Sequence, residues 1–292
     1  FYHLFLFYNC FSSIFHRSIE AKMNYPYQKQ FQRYCKTERH YADSTMLIVN
    51  LSLDVFWRYF QGSSDEALNI KDIQASDIQA FLDSLETKLN LKKNTINKYL
   101  SHIRLYFTFL YSHGLIDHYP MLEINGRKFN RQRRYTINWM PYIPQIAQIK
   151  NIHPETVFMM IGIAQGFLPN EVLKLRYSSI IGGVTDSNLK RYIKSHLDFD
   201  QDSDPYILGK KYGGFYSSDF HLAQRVKADR KLIGMEITLQ SLRLSYVYSI
   251  LSNANMTDGQ LMQKLHINAK TLIYYRQNMM QFTELVEFKM PK

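Results

Sequence analysis

The chain has 292 residues, with 36 lysines and arginines against 25 aspartates and glutamates, giving a formal net charge of +11. Its apolar fraction of 46% is enough for a packed core and excludes global disorder. The two cysteines, Cys10 and Cys35, exclude a disulfide scaffold and a cysteine-based zinc module. The basic balance predicts a polyanionic partner, either nucleic acid or an anionic membrane surface.

Residues 1–42 are predicted to be an N-terminal extension. Their first stretch, FYHLFLFYNCFSSIF, is apolar but has neither the basic start nor the small-residue end of a signal peptide. It also falls short of the roughly 20 apolar residues of a spanning helix. The first methionine is Met23, so residues 1–22 are read either as sequence upstream of a start there or as the tail of a truncated frame. We expect a cytoplasmic protein with no membrane partner.

Residues 43–123 have the apolar periodicity of a helical domain. The segment Met46–Phe60 is dense enough in apolar side chains to predict a buried helix. Ser76 and Gln79 form a capping-box pattern, which predicts the start of a second helix.

A third helix is predicted from about Lys93 to Ser112, with Gly114 just beyond its end. Several cations lie off its apolar stripe. They are interpreted either as a solvated face or as a DNA-contacting face, and the residues concerned are Lys93, Lys98 and Arg104.

The segment 124–140 is predicted to be a basic linker, because it carries five cations and no acid. Such runs repel themselves and bind phosphates well, although a basic linker without a partner is the alternative. The cations are Arg127, Lys128, Arg131, Arg133 and Arg134.

Residues 141–292 form the second part, which is mainly helical with one short strand. The strand is predicted at 204–208 and a turn at 209–214. Helices are predicted at 153–165, 171–177, 219–232, 239–252 and 258–265. The sequence does not match the metal-binding motifs that it partly resembles. The acidic run 198–204 lacks the glycine and glutamate of an EF-hand, and no HExxH pair is present.

Four segments resemble the tyrosine recombinases, also called phage integrases. LETKLNLKKNTINKYLSHIRLYFTFLYSHGLIDHYP (85–120) is similar to their SAM-like core-binding domain. The segments 164–180, 204–251 and 260–276 are similar to the stretches of their catalytic domain that carry the G-L-R, H-x-L-R and L-G-H…Y motifs. The resemblance implies a SAM-like helical domain followed by a catalytic-type domain. It also implies breakage and rejoining of DNA in mobile elements through a 3′-phosphotyrosyl link, without metal or nucleotide.

The resemblance assigns roles to three residues. Tyr275 takes the place of the nucleophile, Arg243 that of the second arginine and His266 that of the last histidine. Two alternatives stay open: Tyr274 as the nucleophile, and a one-residue shift that puts Ile267 at the histidine position.

The catalytic set departs from the family pattern at several positions. Leu168 replaces the first arginine and cannot neutralise a phosphate, while Gln240 replaces a histidine and cannot transfer a proton at neutral pH. The hairpin lysine has only weak candidates, namely Lys190, Lys194, Lys210 and Lys211. Two hypotheses follow: a recombinase of impaired activity, or an inactive DNA-binding protein that serves as regulator or maintenance factor of a mobile element.

Double-stranded DNA is therefore the expected partner. The resemblance implies a C-shaped clamp with 124–140 as its strap, and a homo-oligomer on DNA. The C-terminal segment 277–292 is apolar enough to dock on a neighbouring copy or on its own domain.

Overall fold

The computed structural model of the chain describes residues 25–62, 69–210, 213–252 and 255–291. The chain divides into two compact units, Phe1–Asn130 and Arg131–Lys292. Helices dominate the described residues, which confirms the predicted mainly α fold with a small β component. No helix in these ranges has both the length and the hydropathy needed to cross a bilayer. The apolar N-terminal stretch and Met23 lie outside the described residues.

The first unit packs its helices around one apolar core. Phe31, Phe56 and Phe107 come from three different helices, and each is at most 1% exposed. The Phe56 and Phe107 rings meet edge to face with centroids 6.1 Å apart, a favoured aromatic geometry. The helices are α1 (Gln28–Thr37), α2 (Asp43–Gln61), α3 (Ala75–Thr87) and α4 (Lys93–Ser112).

Two helix ends in this unit follow from local sequence. Gly114 has φ +65°, and Leu115 N–H donates to the Leu110 carbonyl at 2.9 Å, so the predicted end of α4 is confirmed. The start of α3 differs from the prediction. The capping box is formed by Gln74 and Asp77, two residues before the predicted Ser76–Gln79 box. Gln74 N–H donates to Asp77 Oδ2 at 2.9 Å, so the aspartate carboxylate takes the role that a glutamate has in the usual capping box.

The second unit is a larger helical domain whose core includes the fully buried residues Trp139, Ile146, Ile163 and Leu242. The helices predicted at 153–165, 239–252 and 258–265 are confirmed, whereas 171–177 is not one helix and 219–232 is broken into shorter pieces. The helices at 187–195 and 269–282 are not among the predicted ones. The helices are α5 (Ile143–Ile146), α6 (Pro154–Ala164), α7 (Pro169–Val172), α8 (Tyr177–Ile181), α9 (Ser187–Ser195), α10 (Phe220–Arg225), α11 (Asp229–Ile233), α12 (Leu239–Ser252), α13 (Asp258–Leu265) and α14 (Ala269–Phe282).

A parallel pair of strands lies in the second unit. Strand β1 (Arg133–Ile137) pairs with β2 (Thr283–Glu287), and Phe288 N–H extends the pairing by donating to the Ile137 carbonyl at 2.9 Å. The expectation of a linker throughout 124–140 is therefore corrected: part of this segment is a strand, because Tyr135 to Ile137 can pair and pack despite the neighbouring arginines. The C-terminal segment docks on its own unit.

The strand predicted at 204–208 is not formed. Tyr206 makes only an isolated antiparallel bridge with Arg176, whose guanidinium lies 4.2 Å from the Tyr206 ring centroid. A second bridge between Gly209 and Phe215 closes the predicted turn, of which residues 211–212 lie outside the described part of the chain.

Candidate functional site

Arg243 lies on α12 and is only 4% exposed. Its Nη1 donates to the Gly166 carbonyl at 3.2 Å, and its Nη2 donates to the Leu265 carbonyl. Gly166 follows α6, whereas Leu265 ends α13. The guanidinium therefore joins three segments of the second unit, each of which carries one of the family-like motifs.

An aromatic ring and a glycine shape the surroundings of this guanidinium. The Arg243 guanidinium carbon lies 5.5 Å from the centroid of the Tyr246 ring. Gly166 has φ +96°, a conformation that side chains disfavour. Burial lowers the pKa of Arg243, while Tyr246, Tyr275 and Glu171 act in the opposite direction. An arginine stays protonated in such a setting, so the site holds a buried positive charge.

Tyr275, on α14, is half-buried against the core of the second unit. Its ring lies 6.1 Å from that of Tyr248 in an edge-to-face contact. Burial raises the pKa of Tyr275, and the positive charge of Arg243 partly offsets that rise. The two residues thus lie within electrostatic reach of each other. Tyr274, the alternative nucleophile, is 59% exposed.

Leu168 and Gln240 occupy two of the positions where the sequence departs from the family pattern. The Leu168 N–H donates to Glu171 Oε2 at 2.7 Å and so starts α7, while its half-buried side chain brings no charge. Gln240 is exposed in the first turn of α12, one helical turn before Arg243. Both motifs keep their local helix geometry, but Leu168 does not supply the cation of the first motif and Gln240 does not supply the acid of the second.

His266 directly follows α13 and has a left-handed backbone, with φ +51° and ψ +49°. Glycine adopts this conformation most easily, and it is common directly after a helix. Ile267 comes next and packs against the core, and Asn268 then caps α14 by accepting from Thr271 N–H at 2.9 Å. His266 therefore occupies the place of a helix-terminating glycine, and its side chain is exposed.

The DNA-binding candidates of the first unit differ in the contacts that their charged groups make within the chain. Arg127 is held by two carboxylates, Asp83 and Glu86, the latter at 3.2 Å from its Nε. Arg104 Nη2 donates to the Ile124 carbonyl at 2.5 Å. The lysine candidates of this unit are exposed, and they are Lys93, Lys98 and Lys128.

The remaining arginines of the predicted strap belong to the second unit. Arg131 lies with its guanidinium carbon 5.9 Å from the Phe282 ring centroid, and Arg134 lies 4.0 Å from Glu284. Arg131, Arg133 and Arg134 are all exposed.

The candidates for the hairpin lysine do not share one location. Lys190 and Lys194 are exposed on α9, and Lys210 lies in the turn closed by Gly209 and Phe215. Lys211 lies outside the described residues.

Sequence patterns did not reveal two parts of this site. One part is the pair of acceptors, the backbone carbonyls of Gly166 and Leu265. Every residue has a backbone carbonyl, so the residue type gives no sign that these two accept bonds from Arg243. Tyr246 could have been found, because it follows Arg243 by three residues on the same face of a helix.

Comparisons with known proteins agree with this architecture. Residues 29–114 match the family described as phage integrase, N-terminal SAM-like domain. A lambda integrase dimer bound to a COC′ core site superposes with a TM-score of 0.59 at 15% identity, covering 89% of this chain and 98% of that one. The Tn1549 transposon integrase in complex with circular intermediate DNA gives 0.56 at 13% identity, covering 85% and 94%. No curated protein sequence matches the chain significantly.

The molecule is thus a two-domain protein of the phage integrase fold. More specifically, the chain has the fold of the tyrosine recombinases, with a SAM-like N-terminal domain, as the sequence resemblance predicted.

Proposed function

We propose that this protein binds duplex DNA as tyrosine recombinases do, and that its capacity to cleave DNA through Tyr275 is strongly impaired. The observation that carries the proposal is the buried Arg243, whose guanidinium joins three family-like motifs, together with Leu168 at the position where the family has its first arginine. The net charge of +11 supports a polyanionic partner, and the fold shared with a DNA-bound integrase supports DNA as that partner.

Strand cleavage by a tyrosine needs three kinds of group. The phenol oxygen attacks the phosphorus, cations neutralise the charge that develops on the phosphoryl oxygens, and an acid protonates the leaving 5′ oxygen. By analogy with other phosphoryl transfers, an arginine aimed at this charge is worth about 10³–10⁵ in rate. The replacement of that arginine by Leu168 therefore predicts a severe loss.

Arg243 itself is poorly placed to compensate. Two of its five N–H donors point to backbone carbonyls, and little of its surface is open to a ligand. In this position it works mainly as a link between α12 and the two other motifs. A phosphate that reached it would have to compete with the Gly166 or Leu265 carbonyl.

The proton-transfer positions support the same conclusion. Gln240 cannot act as an acid near neutral pH. The left-handed backbone at His266 favours the shifted alignment, in which His266 replaces the glycine of the L-G-H motif and Ile267 replaces its histidine. In that alignment, neither histidine position retains a titratable side chain.

A second candidate function is a DNA-binding regulator or maintenance factor of a mobile element, without any cleavage. The replacement of both Leu168 and Gln240 favours it, because binding requires neither residue. The two candidates share the DNA-binding step and differ only in whether a covalent link forms.

The test uses the full chain and a duplex selected by it from a random library. A nicked version of that duplex traps any phosphotyrosyl link, because the short fragment diffuses away after attack. We expect a stable, sequence-selective complex and at most a trace of covalent adduct, which Tyr275→Phe removes and Tyr274→Phe does not. Failure to bind any duplex would refute the DNA proposal, and rapid complete adduct formation would refute the impairment.

EDTA provides a further check on the same reaction. The proposed chemistry draws only on groups of the chain, so binding and any trace of adduct are expected to be unchanged by the chelator. Loss of either in EDTA would contradict the proposed mechanism.

A further inference from the structure

Residues 124–127, at the start of the strap, are bonded to the first unit through Asn97. Asn97 Oδ1 accepts from the Arg127 N–H at 2.7 Å, and Asn97 Nδ2 donates to the Arg127 carbonyl at 2.9 Å. One side-chain amide thus pairs with both backbone groups of a single residue, as a hydrogen-bonded neighbour in an antiparallel ladder does. Asn97 lies in α4, so these two bonds tie the strap to a helix of the core.

Three further contacts hold the same segment. The Arg127 side chain is only 19% exposed, and it pairs with Asp83 and with Glu86, both on α3. Arg104 Nη2 donates to the Ile124 carbonyl at 2.5 Å, and the Ile124 side chain is buried in the core of the first unit. The segment is therefore fixed at both of its ends.

Gly126 allows the backbone to pass close to the Asn97 amide. A Cβ atom at this position would lie 3.2 Å from Asn97 Oδ1 and 3.4 Å from Asn97 Cγ. A larger residue would push the amide away from Arg127, whereas glycine leaves room for it. The residue type at position 126 thus agrees with the paired backbone at Arg127.

We propose that Asn97 is a positioning residue for DNA binding, acting through Arg127. This inference rests on the DNA binding proposed above. Asn97 fixes the point from which the strap leaves the first unit, so that the cations beyond Arg127 start from a defined place. Arg127, predicted from the sequence as a phosphate contact, is in this role the anchored residue of the strap.

The length of the connection sets the expected size of the effect. With the anchor in place, residues 128–132 connect Arg127 to β1, which is five residues; without it, residues 124–132 do so, which is nine. The effective concentration of a tethered binding surface falls roughly as the −3/2 power of the tether length. Loss of the anchor should therefore weaken DNA binding by about two- to threefold.

Tryptic cleavage of the full chain without DNA tests the anchor itself. Trypsin can cut after Arg127 only when the backbone and the guanidinium leave their partners. Asn97→Ala removes two hydrogen bonds, so cleavage after Arg127 should be at least about tenfold faster than in the wild type. Asn125→Ala is the matched control, because Asn125 is exposed in the same segment and its amide donates to the nearby Glu123 carbonyl. It should be cleaved as the wild type is.

Binding to the selected duplex tests the positioning role. Asn97→Ala should bind about two- to threefold more weakly than the wild type and with the same salt slope, because every cation of the strap can still reach a phosphate. Asn125→Ala should bind as the wild type does.

Unchanged cleavage after Arg127 in Asn97→Ala would overturn the anchor, and faster cleavage with unchanged affinity would overturn the positioning role. Equally faster cleavage after Lys98, inside α4, would show general unfolding and would also contradict the proposal. A wild type that binds no duplex would refute the proposed DNA binding and the positioning role with it. Protection of Arg127 from trypsin would still identify the anchor in that case, which separates the two failures.

Discussion

The guanidinium of Arg243 donates a 3.2 Å hydrogen bond to the carbonyl of Gly166, a residue 77 positions earlier in the chain. The same side chain donates to the Leu265 carbonyl. These bonds hold together the three segments that in a tyrosine recombinase would surround a phosphate. Arg243, which the sequence suggested as a ligand-binding residue, is thus also a structural link.

Replacing Arg243 should therefore destabilise the second unit. Arg243→Met removes the buried charge and leaves two carbonyls without their donor, which we expect to cost about 3 kcal/mol. Arg243→Lys should recover only part of the loss, because one ammonium cannot reproduce the planar fork. Urea unfolding of the full chain measures the effect.

The control for this prediction is Arg191→Met, since Arg191 is exposed on α9. It should change the free energy of unfolding by less than about 0.5 kcal/mol. Equal midpoints for the Arg243 and Arg191 variants would show that the two carbonyl bonds contribute nothing to stability.

The left-handed backbone at His266 gives a second prediction. His266→Gly should stabilise the fold by about 1 kcal/mol, because glycine adopts this conformation without the steric cost of a side chain. Ile267→Gly should do the opposite, since Ile267 packs against the core. If His266→Gly instead removed a measurable trace of adduct while Ile267→Gly did not, His266 would be the catalytic histidine after all.

Much of the fold could be predicted from the sequence, because helices leave local signals. The apolar stripe and Gly114 predicted α4, and helical periodicity alone predicted α12. The pairing of β1 with β2 joins residues far apart in the chain, and neither strand has a periodicity that outweighs its charged neighbours. Pairing between distant strands is decided by tertiary packing, which sequence patterns in short windows do not record.

The site was predictable as a set of positions but not as a set of contacts. Motif order assigned Arg243 and Tyr275 as candidates, and the positive charge of Arg243 acts to lower the pKa of Tyr275 against the effect of burial. Sequence patterns did not show that Arg127 is held by ion pairs with Asp83 and Glu86. They also did not show that His266 has a left-handed backbone.

Salt dependence should separate the two groups of strap arginines. Replacing Arg131, Arg133 and Arg134 with glutamine should weaken binding to all duplexes and lower the salt slope by up to about 2.7, at about 0.9 for each phosphate that is no longer neutralised. Arg127→Gln is the matched control, because two carboxylates already hold its charge, and it should change the slope much less. An unchanged slope in the triple variant would exclude these arginines from the DNA interface.

An ion pair between α13 and α14 gives a pH-dependent prediction. Arg276 Nη2 lies 2.6 Å from Asp258 Oδ1, and this hydrogen bond lowers the pKa of Asp258. The pair therefore stabilises the fold fully above the unfolded-state pKa of Asp258, and this contribution is lost as pH falls through the lower folded-state value. Titration by NMR should show the lowered pKa, and Arg276→Gln should raise it toward its ordinary value.

Lys270→Gln is the matched control for that titration, because it removes one positive charge from the same helix without touching the pair. It should leave the Asp258 titration nearly unchanged. A similar rise in both variants would mean that general charge, and not the ion pair with Arg276, sets the pKa of Asp258.

The proposed impairment of DNA cleavage is tested most sharply by the yield of covalent adduct on the nicked, selected duplex. We predict that the wild-type chain holds this duplex tightly yet links to it no more than in trace amounts over an hour, and that Tyr275→Phe abolishes the trace. Complete adduct formation by the wild type within minutes, abolished by Tyr275→Phe, would show that the site cleaves DNA efficiently without an arginine at Leu168 and would contradict the proposed impairment.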